Sequence, residues 1–507
     1  MTLLFSSLLS ALLLTLSFPK CALSFLAPLA FAPFFAALAM NRDRSLKSVF
    51  CCAYILGLVY HVACVYWISY VSFAGMLALS AFLALLFSLF ILFGYWLVKK
   101  GCGAFLTLPL AYLFFELLVS YLMTGFPWLL LSMTFARRTV FIQSADILGP
   151  HFLSFLLVLT SSALACAAAG KGKKAFLPLA AVALLWLMDA SYGLYRIREL
   201  SKEEPKASAT VSMIQLNLPP ELKHDDKRDE QTMTDYLEAT QKAAEGKDLI
   251  VWPETGVPGI YNDYGNTAIL SLRKFRTEHK VPILCGLTWA EKVQGIIRFF
   301  NAAALLDNDA MLPEKRYYKK HLVIFGEYVP LEKYLPFLSL LTPIASSYSP
   351  GGRSHVVELK TRKGAVIKLG ALICFEDVFP NSAREAAAEG AEILVNLTND
   401  GWFMDSPGSY QHAALAVFRA VETRRELLRS SNTGITMLID RLGREKACLT
   451  VDGKRVLVPG ELTCEASAYP YRETVYTNLG DMGILLLGIF LSALGFVFKS
   501  SGTVMVK

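Results

Sequence analysis

Three side chains able to do covalent chemistry stand at the end of, or inside, apolar or aromatic runs. Cys374 closes Leu369-Gly370-Ala371-Leu372-Ile373 and is followed at once by Phe375, Glu376 and Asp377. A thiol where a buried strand meets a polar turn is a nucleophile position. Glu254 follows Leu249-Ile250-Val251-Trp252-Pro253, in which Pro253 stops the ladder and leaves the carboxylate facing a strand-end crevice. Lys319 lies in Arg316-Tyr317-Tyr318-Lys319-Lys320-His321-Leu322, eight residues before Glu327 of Phe325-Gly326-Glu327-Tyr328-Val329-Pro330, so that both can line one pocket. Taken singly, each also has a plainer reading: a buried cysteine finishing a strand, a solvated loop acid, a basic surface face.

As a set, the three describe thiol attack on a carbonyl. A free thiol, with a pKa of about 8.5, is only a few per cent ionised at neutral pH, so Cys374 needs a base, and Glu254 is the candidate. An ammonium at Lys319 favours the thiolate and balances the oxyanion of a tetrahedral intermediate, helped by a backbone N–H near Phe375.

That chemistry requires elements that bring three distant segments together. Between Arg196 and about Asp481, charged residues become frequent and apolar runs shrink, which predicts a soluble domain entered through Lys202-Glu203-Glu204-Pro205-Lys206. Strand-like runs (Val211 to Asn217, Leu249 to Trp252, Pro282 to Leu287, Ala302 to Leu306, Val366 to Cys374, Ile393 to Leu397) alternate with helical patterns. The helices are expected over Thr232 to Ala244, Ala268 to His279, Ser382 to Glu389 and Tyr410 to Leu428. Such alternation predicts an α/β domain with a covered sheet.

The rest of the chain is apolar enough to sit in lipid: 54% of its 507 residues are hydrophobic. Runs long enough to cross a hydrocarbon layer cover approximately 2–18, 21–40, 49–71, 73–98, 103–123, 151–169, 175–194 and 483–498, which predicts eight spans. Arg42, Arg44 and Lys47, then Lys99 and Lys100, then Lys171, Lys173 and Lys174 fall in every second loop. The positive-inside bias therefore puts both termini in the cytoplasm and the soluble domain outside it, in the periplasm of a double-membrane bacterium. The domains expected are 1–195, 196–481 and 482–507. The first run has no basic n-region, so it is expected to stay as a helix and not to be cleaved. His61, inside the third span, is expected to be packed or hydrogen-bonded.

A net charge of +7 without a basic stripe excludes nucleic acid as the natural partner. Cys21, Cys51, Cys52, Cys64, Cys102 and Cys166 lie in apolar runs and are expected to pack as small hydrophobes. Cys285, Cys374, Cys448 and Cys464 lack CxxC or Cys/His spacing, so neither metal nor a disulfide framework is expected.

The three reactive segments resemble the nitrilase, or carbon-nitrogen hydrolase, superfamily: Glu after W-P-E, Lys before F-G-E, Cys at a strand end in C-x-E, in that order. Seven helices, such a domain, then one helix resembles the apolipoprotein N-acyltransferase family. So do Thr124-Gly125-Phe126-Pro127-Trp128, Asn399-Asp400-Gly401-Trp402-Phe403, Gln411-His412 and Arg429-Ser430-Ser431-Asn432-Thr433-Gly434-Ile435. The resemblance implies an αββα sandwich and a transfer in two halves. Cys374 would take an acyl chain from a membrane phospholipid and pass it to the α-amine of a diacylglyceryl-cysteine on an apolipoprotein, with neither metal nor cofactor, in an enzyme expected to be a monomer of the bacterial inner membrane. It also implies supporting places for Glu327, which would orient Lys319, for Glu376 below the thiol, for Phe375 and for Asn301. Leu335, Phe337 and Leu338, with Trp402, Phe403 and Met404, would guide lipid to the thiol.

Two positions depart from the family's pattern. Phe375 stands where Tyr is common, and Leu222-Lys223-His224 where a Trp is frequent, which leaves the reaction standing but puts acyl-chain or headgroup preference in doubt. A membrane-tethered amidase using the same Glu254, Lys319 and Cys374 is the alternative expectation.

Overall fold

A computed structural model describes residues 2–41, 43–170, 172–219, 228–263, 265–307, 313, 316–330, 334, 347–352 and 356–500. Two compact units make up the chain: Met1–Lys202 with Ser406–Glu422 and Thr474–Lys507, and Glu203–Asp405 with Thr423–Glu473.

In the first unit, Leu46–Tyr70, Phe73–Lys99, Ala104–Tyr121, Pro150–Ala169 and Lys173–Leu200 are helical segments long and apolar enough to cross a membrane, five among the described residues. Leu3–Ser17, Ser24–Met40 and Met482–Gly495, which match the other three expected spans, are shorter apolar helices, as is Thr139–Leu148. Serine and threonine start several of them: the Thr2, Ser45 and Ser72 side chains accept from the amides of Phe5, Ser48 and Gly75. Small residues let neighbouring helices approach, since a Cβ on Gly57 would lie 3.1 Å from the Ala84 Cα. Leu184, Leu187, Met188 and Leu194 of Leu177–Leu200 stay exposed, as lipid-facing side chains do. His61 is buried and bonds through Nδ1 to the Gly57 carbonyl 2.6 Å away, one turn back in its own helix. The apolar-run cysteines do not all pack as expected: Cys64 and Cys102 are buried, Cys52 and Cys166 half-buried, and Cys21 and Cys51 exposed. An apolar run on a helix that faces lipid need not bury every member.

The second unit holds two six-stranded sheets. Its strands are β1 (Ala207–Gln215), β2 (Leu249–Val251), β3 (Ile283–Val293), β4 (Ile296–Leu306), β5 (Arg316–Tyr318), β6 (Val356–Lys360), β7 (Val366–Ile373), β8 (Ile393–Thr398), β9 (Glu426–Ser431), β10 (Met437–Ile439), β11 (Glu445–Cys448) and β12 (Gly460–Ala468). The orders are β12-β1-β2-β3-β4-β5 and β11-β10-β9-β8-β7-β6. In each, three parallel strands sit at the centre, β1-β2-β3 and β7-β8-β9, with antiparallel strands outside them. Central parallel strands are covered on both faces, which is why Leu249–Val251 and the Leu369-Gly370-Ala371-Leu372-Ile373 end of β7 read as unbroken apolar runs. Val211, Val251, Leu284 and Ala303 of one sheet share a core with Leu369, Ile373, Val395 and Leu428 of the other, so the sheets pack face to face. Helices Asp229–Ala243 and Thr267–Glu278 cover the outside of the first sheet through Met233, Tyr236, Ile269 and Leu272. Helix Pro380–Ala388 lies on the second sheet close enough that a Cβ on Gly370 would be 3.0 Å from Ala386.

One expected element is corrected. The helix expected through Leu428 runs Pro407–Thr423, because Arg424 turns left-handed (φ 55°) and Glu426–Ser431 joins the sheet beside β8. No Gly or Pro marks the break, and Leu427 and Leu428 resume the apolar pattern after Val421, so periodicity alone reads through it.

Candidate active site

Lys319 is the centre of the site. It follows the three-residue β5, which is held to β4 through Ala302↔Tyr318, and its own backbone continues the ladder from the Lys319 amide to the Asn301 carbonyl, 2.8 Å. The side chain is 1% exposed and its ammonium lies 3.2 Å from Glu254 Oε1 and 2.9 Å from Glu327 Oε2. Asn301 Nδ2 donates to both carboxylates, to Glu254 Oε1 at 2.9 Å and Glu327 Oε1 at 2.8 Å. Glu327 also accepts from the Val323 amide at 2.8 Å, closing the loop that carries it. Burial opposes the charge on Lys319, but Glu254, Glu327 and Cys374 outweigh it and hold the ammonium well above the ordinary lysine range.

Glu254 follows β2, where its backbone lies against β3 so closely that a Cβ on Gly286 would fall 2.7 Å from the Glu254 Cα and 2.6 Å from the Thr255 nitrogen. Cys374 follows β7, packed on the core between the sheets, in a left-handed conformation (φ 51°). Thr255 (φ 45°) and Phe325 (φ 59°), next to Glu254 and near Glu327, share that backbone region, which costs a non-glycine residue of order 1–3 kcal/mol. The site thus gathers strained residues from three separate segments.

Burial, then the Glu254 carboxylate, push the half-buried Cys374 thiol up, while Lys319 and the Thr398 hydroxyl pull it down with less effect. Desolvation thus favours the protonated sulfur, which agrees with the expectation that Cys374 needs a base.

Glu376 ties the nucleophile turn to the lysine strand. Fully buried, it accepts from Tyr317 Oη at 2.5 Å, the Lys320 amide at 2.7 Å, the His321 amide at 3.2 Å and the Ile373 amide at 2.8 Å. Burial raises its carboxyl, and the bonds from Tyr317 and Ile373 work against that rise. On the far side of the turn, Asn396 donates to the Cys374 carbonyl at 3.2 Å and to Asp377, while Arg429 bonds Asp400 at 3.0 Å and lies 3.6 Å from Asp377. Phe375 packs edge-on to Phe379, ring centroids 5.0 Å apart.

Among the lipid-guiding candidates, Trp402 and Met404 are exposed and Phe403 half-buried, in and just after the turn Gly401–Phe403 that follows β8. His224, Leu335, Phe337 and Leu338 lie outside the described residues. Sequence reasoning did not single out Tyr317 or the Arg429–Asp400 pair. Tyr317 stands two residues before Lys319, where strand alternation puts both on one face, and that was the available signal.

Residues 10–163 match the family described as Apolipoprotein N-acyltransferase N-terminal domain, and residues 179–458 match Carbon-nitrogen hydrolase. The apolipoprotein N-acyltransferase of Geobacter metallireducens is 33% identical over 94% of this chain and 91% of its own length. That of Methylococcus capsulatus is 32% identical over 74% of this chain and 72% of its own.

Proposed function

This chain belongs to the apolipoprotein N-acyltransferase family, a membrane-bound N-acyltransferase with a carbon-nitrogen hydrolase domain, and we propose that its acyl group travels on Cys374. The donor is a membrane phospholipid and the acceptor the α-amine of a diacylglyceryl-cysteine on an apolipoprotein. One observation carries the residue assignment: a buried ammonium clamped between two carboxylates, close enough to the Cys374 thiol at the end of β7 for their charges to act on it.

In the first half, Glu254 takes the thiol proton as sulfur bonds to the donor's ester carbon, and Lys319 balances the oxyanion. The C–O bond to glycerol then breaks and Glu254 returns the proton to the departing alkoxide, releasing lysophospholipid. In the second half the acceptor amine attacks the thioester and gives a proton to Glu254, the C–S bond breaks to an amide and a thiolate, and Glu254 returns that proton to the sulfur. Asn301 and Glu327 hold Lys319 and Glu254 in place; Glu376 sets the angle of the nucleophile turn. The three shorter apolar helices Leu3–Ser17, Ser24–Met40 and Met482–Gly495 complete eight spans, and the charge bias of the loops assigns the catalytic domain to the periplasm.

The test uses full-length enzyme, a phospholipid with a labelled acyl chain, and a diacylglyceryl-cysteinyl lipopeptide. Label should arrive on the α-amine, and a lipopeptide with that amine acetylated should receive none. Turnover of a water-soluble amide without lipid dependence, and no transfer, would instead mark a membrane-tethered amidase.

A further inference from the structure

The β3–β4 hairpin runs well past the site. From the rung Thr288↔Asn301, beside the Glu254–Lys319 cluster, it continues five rungs to Val293↔Ile296, about 17 Å at ordinary strand rise. Both of its edges are braced at first. Asn262 bonds the Ala290 backbone twice, at 2.7 and 3.0 Å, and the Ser349 amide reaches the Phe299 carbonyl at 2.8 Å. Arg316 lies 3.8 Å from the centre of the Trp289 ring, and Tyr318 and Arg316 hold Glu291.

Among the described residues that bracing stops there, and the tip follows: Lys292, Val293, Gln294, Gly295, Ile296, Ile297 and Arg298. Gln294 (φ 51°) and Gly295 (φ 84°) form a tight turn with both residues left-handed, which fixes the register of what flanks it. Ile296 and Ile297 are 64% and 63% exposed, the barest aliphatic side chains among the described residues of this unit. Alternation sends them to opposite faces, each with a cation on its own face: Lys292 directly opposite Ile297, and Arg298 two residues beyond Ile296. Apolar at the end and basic just behind is how a protein segment enters the boundary between acyl chains and phosphate headgroups.

We propose that the Lys292–Arg298 tip is a lipid-surface contact, with Ile296 and Ile297 entering the bilayer boundary and Lys292 and Arg298 meeting anionic headgroups. The assignment rests on the acyl-transfer reading, which brings lipid to the Glu254–Lys319 cluster from whose Asn301 rung this hairpin projects. It places a fixed lipid contact beyond the rim of the thiol site.

A photoreactive benzophenone amino acid at position 297 tests it, in full-length enzyme held in nanodiscs of phosphatidylcholine with phosphatidylglycerol. Position 366 is the control: Val366 is also exposed but starts β7, at the end of that strand away from Cys374. After irradiation, lipid adducts should be at least about fivefold more abundant at 297 than at 366. Equal yields, no lipid adduct at 297, or adducts only to a second copy or to an added lipoprotein would overturn the proposal. The adduct yield should fall by about threefold when phosphatidylglycerol is omitted, and a yield indifferent to it would remove Lys292 and Arg298 from the contact. Acyl loading of Cys374 is followed in the same discs. Its absence beside a strong adduct at 297 would count against the transfer chemistry and not against the contact.

Discussion

The Cys374 sulfur is kept as a thiol by its surroundings, so Glu254 has two separable effects on it: it is the base for the proton, and its negative charge helps hold that proton in place. Glu254→Gln removes both. Acyl loading should fall by about 10²–10⁴, the usual worth of a general base, while alkylation of Cys374 by iodoacetamide at pH 8 should become faster because the thiol pKa drops. Slower alkylation would contradict the stated direction of the shift. Lys319→Met should slow alkylation, since losing the ammonium raises the thiol further, and in wild type alkylation should stay slow until the pH is well above the ordinary thiol value. At Glu376, Tyr317→Phe strips one of four hydrogen bonds from a buried carboxylate and should cost about 1–3 kcal/mol in thermal unfolding of the purified enzyme. Glu254, Lys319 and Cys374 were legible because each follows or interrupts a run of distinct composition. The Tyr317–Glu376 bond was not, because it joins residues 59 apart in sequence.

At the scale of elements, the site depends on strand ends meeting at close range. Gly286 of β3 leaves no room for a side chain beside Glu254. Gly286→Ala should displace the Glu254 turn and lower kcat by about tenfold or more with little change in circular dichroism, since a misplacement near 1 Å is enough for such a loss. Unchanged kcat would mean that Glu254 does not need its present seat. Most central strands were readable as apolar runs, but the hairpin was read as 282–287 and 302–306, whereas it spans Ile283–Val293 and Ile296–Leu306. Glu291, Lys292 and Arg298 interrupt the apolar run without interrupting the ladder. β5 escaped notice for a different reason: three residues carry too little periodicity to register, and its pairing with β4 is what defines it.

For the whole molecule, the division between units does not follow the change in composition. Ser406–Glu422, inside the stretch that reads as soluble, belongs with the membrane helices. Gln411 accepts from the Trp128 and Trp67 indoles at 2.8 and 3.1 Å and donates to the Cys64 carbonyl at 3.0 Å, so one amide satisfies two distant segments. Gln411→Leu should lower the unfolding temperature in detergent by several degrees, about 1–3 kcal/mol for the groups left unpaired; an unchanged value would mean water replaces the amide. The central claim is that the acyl chain rides on one sulfur, and intact-protein mass spectrometry reads this most directly. Enzyme mixed with phospholipid and no acceptor should gain the mass of one acyl group, lose it to hydroxylamine, and gain nothing as Cys374→Ala; an adduct that persists on that variant would contradict it.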